Sequence, residues 1–316
     1  MITVAADGSG DFSSIQKAIN SIDKTPETIF IKNGIYKERV EIKKDHLRLI
    51  GESSEKTIIS NDYYAYDTMP DGSKRGTFRS YTCFVFADDV SISNLTIENT
   101  AGFGKTYGQT IALYAEGDAL VFKKLRILSH QDSLFTGPLP FEEMQAGGFV
   151  GPTEFAPRII LHQYYEDCYI EGEVDFIFGS ATAFFKNCTL FALDRNESPY
   201  NAYYTAPSTY KNQKYGYVFD SCKLTGNCPE GTAVLSRPWR EDAKAVFINC
   251  QMDACVAKEG FVDWNKPNAR DKVFYAEYGS YGDGADLSQR APFSKELKQE
   301  DLDDYSIEKV FGRKID

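Results

Sequence analysis

Two short segments of the 316-residue chain each place one carboxylic acid among apolar neighbours: Asp132 within residues 130–135 and Asp175 within residues 172–179. Water is scarce in such surroundings, so a lone carboxylate is costly to keep charged. Two acids that the fold brings together can divide the work of catalysis. One is ionised and nucleophilic, and the other is protonated and able to donate a proton. The two segments are therefore the first candidates for a catalytic site.

The elements that must position these acids are strand-like segments that recur along the chain with alternating polar and apolar residues. Successive anchor positions in six of these segments lie 30, 43, 20, 34 and 28 residues apart. The anchors are Leu95, Leu125, Cys168, Cys188, Cys222 and Cys250. A period of two without a fixed repeat length predicts an all-β fold, a right-handed parallel β-helix whose coils stack and whose loops vary in length.

The four cysteines at anchor positions would stack on neighbouring coils. The simplest interpretation is a buried ladder of thiols, which are small and weakly polar. A metal site is the alternative, but the sequence has no Cys-x-x-Cys pair of the kind that structural zinc sites use, so we predict no metal. The total of seven cysteines is odd and favours reduced thiols over a disulfide framework.

Both ends of a solenoid need a cover. Residues 13–22 begin with two serines that can cap a helix and continue with apolar residues at helical spacing, which predicts an N-terminal capping helix. The tail from about residue 291 to 316 is charged with scattered apolar residues, and we expect it to pack over the other end or along the side of the β-helix. Because no linker-like stretch interrupts the pattern, residues 1–316 are predicted to form one domain.

The bulk composition argues against several classes of protein. A net charge of −11 disfavours nucleic acid, whose phosphates would be repelled. No apolar run approaches the ~20 residues that span a bilayer, so no membrane partner is expected. Met1 is followed directly by a strand-like stretch and polar residues, without the basic and then apolar segments of a secretory signal. We therefore expect a cytoplasmic protein, or a secreted one if a signal was removed.

Three motifs give the two acids a more specific context: Gln-Asp-Ser-Leu at residues 131–134, Val-Asp-Phe-Ile-Phe-Gly at 174–179 and Arg-Pro-Trp at 237–239. With Asp-Gly-Ser-Gly-Asp-Phe at 7–12, they make the chain resemble the pectin methylesterases over nearly its whole length. The chain departs from the usual family pattern at Ser236 and in the segment between the two acids, which is about one coil longer than usual.

The resemblance implies hydrolysis of the methyl esters of galacturonate units, with release of methanol. Asp175 would be the nucleophile, and Asp132 the general acid that protonates methanol and then the base that activates water. Gln109 and Gln131 would donate amide hydrogen bonds to the oxyanion, and Arg237 would hold Asp175 ionised through two parallel hydrogen bonds. The structural alternatives are a buried aspartate satisfied by backbone donors and glutamines that bridge neighbouring coils.

A further set of residues is predicted to contact the substrate: Trp239, Phe135, Phe178, Val174, Thr77 and Trp264. Trp239 and Phe135 would be walls on which a sugar stacks, and Phe178 would lie near the reacting centre, with core filling as the alternative. Val174 would flank Asp175 along a strand and fix its direction. The implied partner is a methyl-esterified galacturonan or oligogalacturonide, bound by a monomer or weak dimer without any cofactor.

Other activities fit the residues less well. A β-helical pectate lyase needs calcium-binding carboxylates beside a basic residue, and a polygalacturonase needs two or three aspartates at a glycosidic bond. A Ser-His-Asp esterase is unsupported, because the chain has three histidines and no Gly-x-Ser-x-Gly motif. A non-catalytic carbohydrate-binding solenoid would not need paired acids.

The extra segment at residues 137–157 is rich in glycine and proline and has no strand pattern. Phe141, Met144 and Phe149 are expected to be exposed, and the segment is expected to stand beside the cleft. A tolerated surface insertion or a dimer contact is one interpretation. The other is a wall that shortens the groove, which predicts a preference for short oligogalacturonides over polymeric pectin.

Overall fold

Successive coils of the chain stack on one another, and most coils contribute strands to three parallel sheets. The computed structural model describes residues 1–315, and the strand counts refer to that range. Sheet A has eleven strands: Ile2–Val4, Glu27–Ile31, Leu47–Gly51, Ser91–Ser93, Leu120–Lys123, His162–Glu166, Thr182–Lys186, Tyr217–Asp220, Lys244–Ile248, Phe274–Tyr278 and Ser294–Glu296. Sheet B has eight: Gly34–Lys37, Thr57–Asn61, Thr96–Asn99, Arg126–Leu128, Tyr169–Gly172, Thr189–Ala192, Lys223–Gly226 and Gln251–Met252. Sheet C has seven: Val40–Ile42, Cys83–Val85, Leu113–Ala115, Leu134–Thr136, Ile177–Gly179, Ala202–Pro207 and Ala233–Ser236.

The coil that carries Asp132 shows the path of the chain. It runs through Leu120–Lys123 in sheet A, Arg126–Leu128 in sheet B and Leu134–Thr136 in sheet C. The next coil begins at His162–Glu166, which pairs in parallel with the sheet A strand of the coil before it. The prediction of an all-β parallel β-helix is therefore confirmed.

The turn from sheet A to sheet B explains the anchor pattern. The residue before each anchor has a positive φ, between 51° and 59°, and is the first residue of a two-residue turn between a strand of sheet A and a strand of sheet B. These residues are Asn94, Lys124, Asp167, Asn187, Ser221 and Asn249. Asparagine and aspartate tolerate this conformation best, because their short polar side chains bond locally. The tight turn directs each anchor side chain into the interior.

The predicted ladder of thiols is confirmed. Cys168, Cys188, Cys222 and Cys250 are all buried, and each thiol donates to a carbonyl oxygen of the preceding coil over 3.4 to 3.7 Å. All seven cysteines are unpaired. Burial raises the pKa of the Cys168 and Cys188 thiols, so these side chains stay neutral.

A column of aromatic rings runs beside the thiols on the inner face of sheet A. Phe122, Tyr165, Phe185, Phe219 and Phe247 occupy equivalent positions on five successive coils. Neighbouring ring centroids are 4.8, 4.5, 4.6 and 4.8 Å apart in near-parallel stacks. The in-register pairing of parallel strands places like residues above one another, and the stacked rings fill the interior without gaps.

The predicted capping helix covers the N-terminal end and spans Ile15–Ser21. Ser14 is its N-cap, and its hydroxyl accepts from the backbone N–H of Lys17 over 3.2 Å. The Glu38 carboxylate accepts from the first two helical N–H groups over 2.8 and 3.0 Å, where a negative charge also complements the helix dipole. The buried face of the helix packs on the first coil.

The C-terminal tail packs along the side of the β-helix, one of the two predicted places. Its helix Ile307–Phe311 follows a 3₁₀ segment at Gln299–Tyr305. Val310 and Phe311 are buried against the outer face of sheet A, where the ring centroids of Phe311 and Tyr164 are 5.8 Å apart. The remaining helical segments are Gly104–Tyr107, Thr77–Arg79, Pro267–Asp271 and Leu287–Gln289. Among the described residues, every helix is too short or too polar to cross a membrane.

Candidate active site

The two acids lie in equivalent turns of adjacent coils, between sheet B and sheet C. Leu134 pairs with Ile177 on the neighbouring coil, so Asp132 and Asp175, each two residues earlier, are stacked one coil apart. Both have positive φ, 64° and 50°. Asp175 therefore belongs to the turn before the strand. The expectation that it alternates with Val174 along a strand is wrong, because the left-handed backbone ends the extended geometry there.

The backbone around the acids is held by hydrogen bonds between the two coils. The N–H of Asp132 donates to the Val174 carbonyl over 3.0 Å, and the N–H of Leu134 donates to the Phe176 carbonyl over 2.8 Å. Gly172 permits this close approach, because a Cβ there would lie 2.2 Å from the Cβ of Phe176. The two carboxyl groups are thus fixed in place by the main chain.

Asp175 is paired with Arg237 in a bidentate geometry. The Nε and Nη2 groups of Arg237 donate to the two carboxylate oxygens of Asp175 over 2.6 and 2.7 Å. The guanidinium lies between two aromatic rings, 3.8 Å from the Tyr203 centroid and 3.7 Å from the Trp264 centroid. Burial opposes the charge on Arg237, yet the Asp175 carboxylate outweighs it and raises the pKa of Arg237. This arrangement keeps Asp175 ionised and oriented.

Arg237 reaches Asp175 across a small residue on the coil between them. Ser236 pairs with Thr205, so Arg237 occupies on its coil the position that Ala206 has on the coil before. Phe178 holds the same position one coil earlier still. Because Ala206 has only a methyl group, the side chain of Arg237 can lie over it toward the acid.

Asp132 lies in surroundings that favour its protonated form. Burial raises the pKa of Asp132 well above the usual range of an aspartic acid, and the carboxylate of Asp175 raises it further. Arg237 and the amide of Gln131 act in the other direction but do not offset burial. The raised pKa of Asp132 therefore favours its protonated form, while Arg237 binds both oxygens of Asp175.

Both glutamines line the same cavity as the acids, which has a volume of about 350 Å³. The side chain of Gln131 lies against Gly104. A Cβ atom on residue 104 would lie 2.4 Å from the Oε1 atom of Gln131. The N–H of Gly104 donates to the buried Glu173 carboxylate over 2.7 Å. Glycine is therefore required at residue 104 for Gln131 to occupy its place beside Asp132.

Aromatic side chains form the wall of the cavity next to the acids. The Trp239 ring centroid is 5.6 Å from that of Phe178 and 6.4 Å from that of Phe78, which it stacks on. Phe149 closes the group, with its centroid 5.9 Å from Phe78 and 6.2 Å from Trp239. One wall of the cavity is thus apolar, and the acids, the glutamines and Arg237 supply its polar groups.

Comparison with known proteins assigns the chain to a family. A family model described as Pectinesterase matches residues 1–139 and 158–312. Pectinesterase 31 of Arabidopsis thaliana is 33% identical over 315 residues, which cover 95% of this chain and 89% of the relative. The chain belongs to the pectinesterase family.

Solved structures of pectinesterases agree with this assignment. Pectin methylesterase PemA from Erwinia chrysanthemi superimposes with a TM-score of 0.81 at 29% identity, covering 99% of this chain and 97% of that one. Pectin methylesterase from carrot gives a TM-score of 0.82 at 26% identity, covering 98% and 92% of the two chains. A pectin methylesterase solved in complex with a hexasaccharide gives a TM-score of 0.81 at 29% identity, covering 99% and 97%. The predicted right-handed parallel β-helix and the assignment to a pectinesterase are confirmed.

The gap in the family match, residues 140–157, coincides with the extra segment noticed in the sequence. This insertion stands beside the cleft as expected, because Met144, Gln145 and Phe149 line the catalytic cavity. Phe141 and Met144 are 68% and 66% exposed, in agreement with the prediction. Phe149 is buried, so its predicted exposure is wrong: its ring packs against Phe78 and Trp239.

The insertion is tied to the β-helix by polar contacts of buried groups. Thr153 donates to the buried carboxylate of Glu116 over 2.7 Å and is also hydrogen-bonded to the Tyr114 hydroxyl. Arg158 donates to the Pro140 carbonyl over 3.1 Å and to three carbonyls of residues 153–156, which joins the two ends of the insertion. Burial raises the pKa of Glu116 to about 7. These contacts fix the insertion as a wall.

Four of the six predicted substrate contacts line the catalytic cavity: Thr77, Phe178, Trp239 and Trp264. Phe135 has no exposed surface, so it lies in the core beneath the cleft and cannot be a wall for a sugar. Val174 lies outside the cavity, because the turn at Asp175 directs it away. The substrate-binding roles of the four cavity residues stay predictions.

Some residues of the site were not found from the sequence. Tyr203, which stacks on Arg237, lies 15 residues after its anchor Cys188, because residues 193–201 form a loop before the strand. The acids carry a usable signal, since Asp132 and Asp175 each follow their anchors by seven residues. Equal offsets from adjacent anchors indicate that two side chains stack on neighbouring coils. Within residues 1–315, no cluster of three or more His, Cys, Asp or Glu residues is arranged to hold a metal ion.

Proposed function

We propose that this protein removes methyl esters from galacturonate units of pectin or oligogalacturonides, with Asp175 as nucleophile and Asp132 as general acid and base. One observation carries the proposal. Asp175, in bidentate contact with Arg237, lies one coil from Asp132, whose pKa is strongly raised, and both side chains open into one cavity. Two carboxyl groups in opposite protonation states are what nucleophilic ester hydrolysis requires.

In the first step, an oxygen of Asp175 attacks the C6 carbonyl carbon of the methyl ester, and the carbonyl electrons move onto its oxygen. Gln109 and Gln131 donate hydrogen bonds to this oxyanion, and an amide donor in such a position contributes ~3 kcal/mol. As the carbonyl re-forms, the methoxy group leaves and takes the proton from Asp132. The products are methanol and an anhydride between galacturonate and Asp175.

In the second step, Asp132 is ionised and takes a proton from a water molecule. The resulting hydroxide attacks the galacturonate carbonyl of the anhydride, and Asp175 leaves as a carboxylate stabilised by Arg237. The cycle returns the proton to Asp132 and the negative charge to Asp175. Every charge that develops has a protein partner within the cavity.

The substrate class follows from charge and from the apolar wall. The protein has a net charge of −11, which at long range disfavours a fully ionised polygalacturonate polymer, whereas methyl esters mask the carboxylates. Trp239 and Phe178 offer apolar surface next to the acids. A pectin methylesterase similar to this chain was solved in complex with a hexasaccharide, which supports an oligosaccharide partner.

The test is an assay of methanol release from methylated oligogalacturonides, with cleavage of the uronate chain monitored in parallel. The wild-type protein is expected to release methanol without shortening the chain. Asp175→Asn and Asp132→Asn are each expected to lower kcat/KM by about 10³-fold or more, and the double variant little further, because the acids act as one unit. Asp271→Asn, an exposed aspartate, is the control. A folded Asp175→Asn protein with near wild-type rate would show that the nucleophile is misassigned.

For location and assembly, we propose a cytoplasmic monomer or weak dimer. The seven unpaired cysteines support a reducing compartment. Fractionation of producing cells, with methanol release measured in each fraction, tests the location. Light scattering across a concentration series tests the assembly.

A further inference from the structure

A second cavity of about 490 Å³ adjoins the catalytic one on the far side of Trp239. The two cavities share Met144, Trp239 and Arg240 in their linings, so they are direct neighbours on the surface. One side of the second cavity is formed by residues 140–144, at the start of the insertion that the family model does not match. Part of the wall of the second cavity therefore comes from a segment outside the family match.

The second cavity offers an aromatic platform. The rings of Phe141 and Tyr210 lie 4.6 Å apart at 43°, and Phe141 is 68% exposed. Tyr210 is fixed by its hydroxyl, which donates to the Leu139 carbonyl over 2.7 Å. An exposed aromatic face next to a groove is a surface on which the apolar face of a sugar ring can stack.

Two cations line the same cavity, and both are held by carbonyl oxygens. Arg240 donates to the carbonyls of Trp239 and Glu142 over 2.8 and 2.6 Å. Lys266 donates to the carbonyls of Pro238 and Trp239 over 2.7 and 3.1 Å. In residues 1–315, neither cation has a carboxylate partner within 4.0 Å. The other contacts of the two cations are with the faces of the Trp239 and Trp264 rings, at 5.0 and 4.3 Å from the ring centroids, so no direct ion pair blocks a ligand carboxylate.

Three carboxylates also line the cavity, and those of Glu142 and Glu241 partly offset the charges of Arg240 and Lys266. Glu241 is in addition bound to Lys272. Lys211 adds a further cation, and the carboxylates of Glu142 and Asp242 form no ion pair with Arg240 or Lys266. Burial, together with the neighbouring guanidinium groups of Arg240 and Arg237, lowers the pKa of Lys266 to about 8, although Asp175 and Glu241 act in the other direction. Cations that lie close together repel one another, and an anion bound beside them relieves this repulsion.

We propose that the second cavity binds a galacturonate unit with a free carboxylate, belonging to the oligosaccharide whose esterified unit lies at Asp175. Phe141 and Tyr210 stack on the sugar ring, and Arg240 and Lys266 bind its carboxylate. This proposal rests on the proposed function for its substrate class. It adds that a partly de-esterified oligogalacturonide is preferred to a fully esterified one.

Two measurements test the proposal, and the first needs no esterase activity. Calorimetric titration with unesterified hexagalacturonate is expected to show salt-sensitive binding to the wild-type protein. Phe141→Ala and Lys266→Gln are each expected to weaken it about tenfold. The matched controls are Phe155→Ala, a 91% exposed ring in the same insertion, and Lys105→Gln, an 82% exposed lysine elsewhere. Equal affinity in all five proteins, or no binding to the wild type, would overturn the proposal.

The second measurement compares methanol release from a fully esterified hexamer and from one with a single free carboxylate. The wild-type protein is expected to have the higher kcat/KM on the second substrate, and both site variants are expected to lose this preference. A preference unchanged by both variants contradicts the second site. If the wild-type protein releases methanol from neither hexamer, the proposed function is contradicted. The proposal of a second binding site is then still tested by the calorimetric titration. Phe141 is largely exposed, so its variant is expected to keep the fold even if Lys266→Gln does not.

Discussion

Arg237 joins the nucleophile to the aromatic residues of the site. It binds both oxygens of Asp175 and is held between the rings of Tyr203 and Trp264. The two rings fix the plane of the guanidinium, and the two hydrogen bonds fix the carboxylate of Asp175 relative to that plane. The orientation of the Asp175 carboxylate is therefore set before substrate binds. Such preorganisation favours attack because no side chain has to reorient during the reaction.

Arg237→Lys is expected to lower kcat about 10- to 100-fold with a smaller change in KM, because an ammonium group cannot bind both oxygens or stack between rings. Steady-state methanol release on a methylated oligogalacturonide measures this. The control is Arg48→Lys, a substitution at an exposed arginine. A rise in KM with unchanged kcat would mean that Arg237 binds substrate and does not orient Asp175.

Asp132 gives the reaction a pH dependence. Its pKa is raised by burial and by Asp175, and in the proposed reaction it is protonated when methanol leaves. We expect kcat to fall as pH rises through the pKa of the pair, because the leaving group then loses its proton donor. The basic limb of the kcat profile between about pH 6 and 10 checks this, and a substrate with a leaving group more acidic than methanol should weaken that limb. A flat profile on the methyl ester would contradict the acid role.

At the scale of elements, the insertion is the part of the chain that sets this pectinesterase apart. Residues 137–161 connect sheet C to sheet A, whereas the next coil makes the same connection with two residues. The insertion is anchored at Thr153 and Arg158, and it inserts Phe149 into the aromatic wall. It therefore forms part of both the catalytic cavity and the second cavity.

Replacing residues 140–157 by a short turn is expected to raise the ratio of methanol release on polymeric pectin to that on short oligogalacturonides. The wall beside the cleft would be gone, and a long chain could lie along the coils. Leu139 must be kept, because it is fully buried. The loop replacement also removes Thr153, which donates a hydrogen bond to the buried Glu116 carboxylate. The replacement is therefore combined with Glu116→Gln, and the Glu116→Gln variant with the insertion intact is the control. An unchanged ratio would mean that the insertion does not select for length.

Glu116 links the insertion to pH. Its folded-state pKa of about 7 lies above the ordinary value of 4.5. The contribution of its protonated form to stability is therefore complete below pH 4.5 and is lost as pH rises through 7. As the pH rises from below 4.5 to above 7, we expect the free energy of unfolding of the wild-type protein to fall by about 3 kcal/mol through this group. Glu116→Gln is expected to lack this fall. Urea unfolding at about pH 5 and pH 8 measures this, with Glu300→Gln as the exposed control. Equal changes in wild type and Glu116→Gln would contradict it.

At the scale of the molecule, the stacked coils supply a rigid frame for catalysis. The core is continuous from the capping helix to the last coils, with columns of thiols and aromatic rings along it. Asp132, Asp175 and Arg237 come from different coils, and the stacking of parallel strands at about 4.8 Å sets the spacing between them. The geometry of the site thus depends on the register of the whole solenoid.

Full esterase activity is expected after treatment with a chelator, because protein groups provide every charge that the reaction needs. The assay uses short methylated oligogalacturonides, since calcium cross-links de-esterified polymer and would disturb the result. Metal analysis of the purified protein is expected to show less than one equivalent. Activity that is lost with the chelator and restored only by calcium would contradict this and favour a lyase-like site.

The sequence by itself determined the repeated strands, the capping helix and the thiol ladder, and it predicted that Asp132, Asp175 and Arg237 come together in one site. These features are local or periodic: tight turns place anchors inward, and Asp132 and Asp175 lie seven residues beyond theirs. Only the tertiary structure decided which aromatic residues face the cleft. Phe135 is buried and Phe149 is drawn inward, because each depends on neighbours from distant coils and from the insertion. The tertiary structure was also needed to identify the aromatic partners of Arg237 and the second cavity. The loops between strands vary in length, so sequence spacing does not show which of these residues lie side by side.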